Sequence, residues 1–65
     1  MRLRQDEFIV KMLEKHFTVT SLAEKAGVAP ATISRMKQGK PCNPRSAYKV
    51  SEMLGVPLKE LVDEW

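Results

Sequence analysis

The sequence predicts an all-α domain, a compact bundle of five short helices in which the second and third form a helix-turn-helix. Three observations carry that reading. Apolar residues recur at three- and four-residue spacings, no stretch alternates with period two over a useful length, and glycines and prolines fall between the periodic segments. No sheet is expected.

Phe8, Ile9, Met12, Leu13 and Phe17 follow helical spacing and predict a first helix from about Gln5 to His16. Asp6 and Glu7 in its first turn and Lys15 and His16 in its last complement the helix dipole. Thr18 is a suitable N-cap for a second helix, Val19 to about Ala26, with Leu22, Ala23 and Ala26 on one face and Gly27 as its stop. Pro30 suits the first position of a third helix, which carries Ile33 and Met36 to about Gln38 before Gly39 ends it. After a loop from Lys40 to Asn43, Pro44 opens a fourth helix through Tyr48, Val50 and Leu54, closed by Gly55. Pro57 opens a short fifth helix with Leu58, Leu61, Val62 and Trp65.

Length and composition narrow the class. Sixty-five residues make one domain, residues 1–65, and a chain this short buries only about 60% of the surface its unfolded form exposes. An apolar content of 43% is enough for a core and too high for a disordered tail. One Cys excludes an intrachain disulfide, and one Cys with one His excludes a zinc site of three or four such ligands within the chain. The longest apolar run, Phe8-Ile9-Val10, is far too short for a membrane span or a signal-peptide core. A cytoplasmic domain in a reducing compartment is therefore expected, with no membrane partner.

Charge is unevenly placed within a net +3. Between Glu24 and Glu52 there is no acidic residue, while Lys25, Arg35, Lys37, Lys40, Arg45 and Lys49 all lie there. From Glu52 onward Glu52, Glu60, Asp63 and Glu64 face a single Lys59. A basic middle beside an acidic end suggests one surface for a polyanion and another for different work, although small domains also carry lopsided solvated faces.

Function enters at Val19 to Gln38. Ala23 is small enough for a second helix to cross close by, Gly27 allows the sharp turn, and Val28, Ile33 and Met36 anchor the second helix on the first. Structural αα-hairpins share the glycine turn. The combination of small residue, glycine and apolar anchors inside an acid-free basic interval favours the DNA-binding form.

The stretch from about Phe17 to Val62, some three quarters of the chain, resembles the Cro/repressor family of phage lambda-like DNA-binding domains. The resemblance rests on LAEKAGV at 22–28, TIS at 32–34, QGK at 38–40, NPR at 43–45 and MLGVPLKELV at 53–62. It implies a five-helix bundle that binds double-stranded operator DNA, usually as a homodimer on a palindromic site, with the helix Pro30 to Gln38 in the major groove. With Ile33 and Met36 turned inward, Ala29, Pro30, Ala31, Ser34 and Arg35 would face the bases, with Thr32 at the edge. Arg35 is the long donor able to fork onto guanine O6 and N7, and Ala29, Ala31 and the Thr32 methyl could touch thymine methyls. The family's phosphate clamp corresponds here to Thr18, Thr20, Gln38, Lys40, Asn43 and Arg45. Arg45 at a helix N-terminus is locally unfavourable unless it faces an anion. Three positions depart from the family pattern: Val19 stands where Gln is common, Ala29 where Ser or Thr caps the recognition helix, and Cys42 where the loop is often polar or basic.

Val56, Pro57, Leu58, Leu61 and Trp65 are expected at a dimer interface, the alternative being that they close the core of their own chain. The overall expectation is a sequence-specific transcriptional regulator, a Cro-like or minimal repressor from a phage, prophage or mobile element, working in a bacterial cell or phage-infected host. An antitoxin-type module that also binds a protein is the alternative, and a pure protein-interaction bundle is a third reading of a different class. Paired carboxylates in a pocket, a nucleophile–base pair and a phosphate-cradling loop are all missing from the sequence, so no enzyme, cofactor or small-molecule ligand is expected.

Overall fold

Local capping chemistry sets most of the helix boundaries. The computed structural model describes all 65 residues, Met1 to Trp65. Helix α1 spans Gln5–Glu14, α2 Val19–Ala26, α3 Pro30–Lys37, α4 Pro44–Leu54 and α5 Leu58–Leu61. Thr18 and Ser21 form a reciprocal cap at the start of α2. The Ser21 backbone N–H donates to Thr18 Oγ1 at 3.1 Å, and the Thr18 N–H donates to Ser21 Oγ at 2.8 Å. At its other end Gly27 takes φ +71°, and the Val28 N–H donates back to the Ala23 carbonyl at 3.0 Å. Asn43 caps α4 by accepting the Arg45 N–H on Oδ1 at 2.8 Å.

Helix α1 ends two residues before the expected His16. Lys15 and His16 form a turn, His16 adopts φ +60°, and the Phe17 N–H reaches the Met12 carbonyl at 2.9 Å. This is a left-handed helix stop made without glycine, a conformation that costs an ordinary residue roughly 1–2 kcal/mol. The closing hydrogen bond and the packing of half-buried Phe17 on the core offset that cost.

At the C-terminal end the structure corrects the sequence reading. Helix α5 is a single turn, and Val62–Glu64 leaves it as a strand, β2, which pairs antiparallel with β1 at Arg2–Leu3. Leu3 lies opposite Val62 and Arg2 opposite Glu64, where an ion pair of 3.8 Å forms. The domain is mostly helical but not strictly all-α, and the expectation of no sheet fails. Strands of two and three residues are too short to show a period, and their partners lie at opposite ends of the chain.

The core gathers Leu3, Phe8, Met12, Leu22, Ala23, Ile33, Met36, Ala47, Val50, Leu54, Leu61 and Val62. Helix α2 packs on both α3 and α4, α1 on α3, and α5 on α4. The buried hydroxyl of Ser51 donates to the Tyr48 carbonyl at 2.7 Å, and no buried side-chain polar atom lacks a partner. Leu61, expected at a dimer interface, is 1% exposed and packs within its own chain. A domain with so small a core has few apolar side chains to spare, and Leu61 joins the buried cluster from the single turn of α5, which packs on α4. No helix is long and apolar enough to cross a membrane.

Candidate nucleic-acid interface

Helix α3 owes its two-sidedness to the inward turn of Ile33 and Met36, both 0% exposed. That places Ala29, Pro30, Ala31 and Arg35 in solvent and leaves Thr32 and Ser34 half-buried along the edges of the outer face. All six residues expected to meet bases therefore lie on accessible surface. Both residue types suited to thymine methyls, alanine and threonine, stand at the N-terminal end of α3, the end that a recognition helix presents to base edges.

The molecule's two ion pairs are Arg2–Glu64 and Lys11–Glu14, the latter at 3.4 Å. Neither involves a cation from the acid-free interval. Arg35, Lys40, Arg45 and Lys49 are exposed and carry no ion pair. Lys49 lies one turn beyond Arg45 on α4, and both side chains are exposed. The charge pattern of the sequence includes Lys49, whereas the motif does not single it out.

The residues expected to hold phosphates lie at three places: the start of α2, the loop after α3 and the start of α4. Thr20, Gln38, Lys40 and Arg45 are exposed. Thr18 and Asn43 are exposed too, but each already serves its helix: Thr18 Oγ1 and Asn43 Oδ1 accept backbone N–H groups. Capping leaves the Asn43 side-chain amide N–H groups free to donate outward, since the cap uses only the oxygen. The loop itself is shaped by Gly39 at φ +72°, with the Lys40 N–H donating to the Arg35 carbonyl at 3.0 Å.

The departures from the family pattern have structural consequences. Val19 is partly buried against the core, so an apolar residue suits the place where a polar contact is common. Ala29 is the N-cap of α3 and offers no side-chain hydrogen bond. Ala29→Ser should therefore raise stability by about 0.5–1 kcal/mol, read as a higher melting temperature, because the cap costs nothing elsewhere at an exposed site. Burial pushes the Cys42 thiol above its ordinary range, so it stays protonated at neutral pH and is a poor nucleophile.

An open cleft of about 440 Å³ lies between α1 and α5, lined by Arg4, Glu7, Lys11, Val56, Lys59, Glu60 and Leu61. It mixes both signs of charge and shares no residue with the α3 face.

This geometry agrees with a comparison against known families, in which the Cro/C1-type HTH DNA-binding domain matches residues 7–63. No curated protein and no solved structure matches the chain. The matched span takes in every helix but the first two residues of α1, including the helix-turn-helix formed by α2 and α3. The chain belongs to the Cro/C1-type helix-turn-helix family of DNA-binding domains.

Proposed function

We propose that the domain is a sequence-specific transcriptional repressor of the phage, prophage or mobile-element kind, acting with α3 in the major groove of double-stranded DNA. The observation that carries this reading is Arg35, exposed and unpaired on the outer face of a helix whose inner face is fixed by Ile33 and Met36. Its guanidinium supplies a guanine fork, while Thr18, Thr20, Gln38, Lys40, Asn43 and Arg45 hold the flanking phosphates. Selection of bound duplexes from a random pool tests it. Enrichment of a defined half-site containing guanine is expected, and a pool that never departs from random would count against sequence-specific reading.

The operator-bound form in this reading is a two-fold dimer built from the C-terminal end. Pro57 and Trp65 are exposed, Trp65 at 76%, and Val56 and Leu58 are half-buried, which leaves an apolar surface there even with Leu61 and Val62 committed to the core. Two recognition helices would then read half-sites about 34 Å apart, one helical turn. Sedimentation with and without the selected duplex should show two chains per site. One chain on a single half-site would rule the dimer out.

An antitoxin-type module has one observation in its favour. Val10 and Leu13 on α1 are 48% and 68% exposed, lie outside the DNA-facing set, and would serve a protein partner. Under that alternative Leu13→Lys abolishes binding to the partner and leaves duplex binding unchanged.

A further inference from the structure

The N-terminal segment has no part in the helix-turn-helix, yet it touches the loop that follows α3 at two places. The Cys42 N–H donates to the Met1 carbonyl at 2.8 Å. A Cβ built on Gly39 would lie 3.6–4.0 Å from the Gln5 side chain, so Gln5 lies directly against that glycine. The same segment is fastened behind. Leu3 is 2% exposed in the core, the Arg4 N–H donates to the Leu61 carbonyl at 2.6 Å, and Arg4 Nε donates to the Val62 carbonyl at 3.3 Å. Thus β1 is held by β2, and Met1, the residue just before it, is tied to the loop at Cys42.

We infer that residues Met1–Gln5 are a positioning strap that fixes the loop Gly39–Asn43 and so places Lys40 and Asn43 for the DNA backbone. The inference rests on the proposed phosphate contacts of that loop. Beyond the strap, the five-residue loop is tied by the half-buried Cys42 side chain packed on the core and by contacts at its two ends. Its closing hydrogen bond onto Arg35 holds only the first turn, at Lys40, and the Asn43 cap holds only the last. The Cys42 N–H is the tether between them. Without it, ordering the loop on DNA would cost conformational entropy at the moment of binding. The residues of the strap itself need not touch DNA.

The test is a pair of variants at one position in the full chain. Cys42→Ala removes the thiol but keeps the N–H; Cys42→Pro removes both and adds no charge. Cys42→Pro is expected to weaken binding to a random duplex about two- to tenfold, the worth of one net hydrogen bond. It should also lower the salt slope by about one as the Lys40 contact loosens. Cys42→Ala should match the unmodified chain in both. Amide hydrogen exchange gives a second reading that needs no DNA: the Cys42 N–H of the unmodified chain should be protected well beyond an open-loop amide. Equal duplex binding by the proline and alanine variants would overturn the strap, as would exchange at Cys42 as fast as at an open loop. Failure of the unmodified chain to bind any duplex would instead contradict the DNA-binding reading, and Cys42 exchange would still decide whether the tether exists.

Discussion

Ile33→Ala is expected to cost about 2–5 kcal/mol and to abolish DNA binding with it. Ile33 is fully buried, lies on the inner face of α3, and helps hold that helix against α2 in the corner of the motif. A domain of this size has a total stability of only about 3–10 kcal/mol, so a cavity of this kind consumes much of the margin. The small core leaves few neighbours to collapse into the gap. Thermal unfolding followed by circular dichroism should show a fall of at least about 8 °C, or no cooperative transition at all. A shift of only a degree or two would mean that α3 is not anchored through Ile33.

Arg35→Ala should have the opposite signature: an unchanged melting temperature and a selective loss of sequence reading. The guanidinium is exposed and unpaired, so its removal leaves the fold intact. Losing a bidentate guanine contact should cost about 1–3 kcal/mol per half-site on the preferred operator and flatten the preference at one base pair. Binding to random duplex should change far less, because phosphates supply most of that affinity. Lys40→Ala or Arg45→Ala should weaken operator and random duplex by similar factors and reduce the salt slope by about one for each lost contact. Parallel salt titrations on the two duplexes distinguish these patterns. Equal weakening of both duplexes by Arg35→Ala would make Arg35 a phosphate ligand and shift sequence reading to Ala29, Ala31, Thr32, Ser34 and the shape of the DNA.

Where strong local signals bracket an element, its ends were legible in the sequence. Helix α2 lies between Thr18 and Gly27, and α4 between Asn43-Pro44 and Gly55, and both run as expected. The inward face of α3 was equally readable, since Ile33 and Met36 stand one turn apart among small and polar residues. Apolar spacing extends α1 to His16, two residues too far, because the stop is His16 itself in a left-handed conformation, which composition does not announce. The end of the chain misled for a different reason. Leu58, Leu61, Val62 and Trp65 fit helical spacing, but Val62 gains more by pairing with Leu3, which lies 59 positions away. Pairing over such a distance leaves no trace in local periodicity. The tie between Met1 and Cys42 was hidden for the same reason, being a backbone contact with no side-chain signature.

Methylation interference on the selected duplex tests major-groove reading by α3 most directly. Dimethyl sulfate places a methyl group on guanine N7, the acceptor that an arginine fork requires. If α3 reads the groove through Arg35, duplexes methylated at one guanine in each half-site will be missing from the bound fraction. The Arg35→Ala protein, bound more weakly, will no longer exclude them. Equal methylation of bound and free duplex at every guanine would contradict guanine reading in the major groove through Arg35.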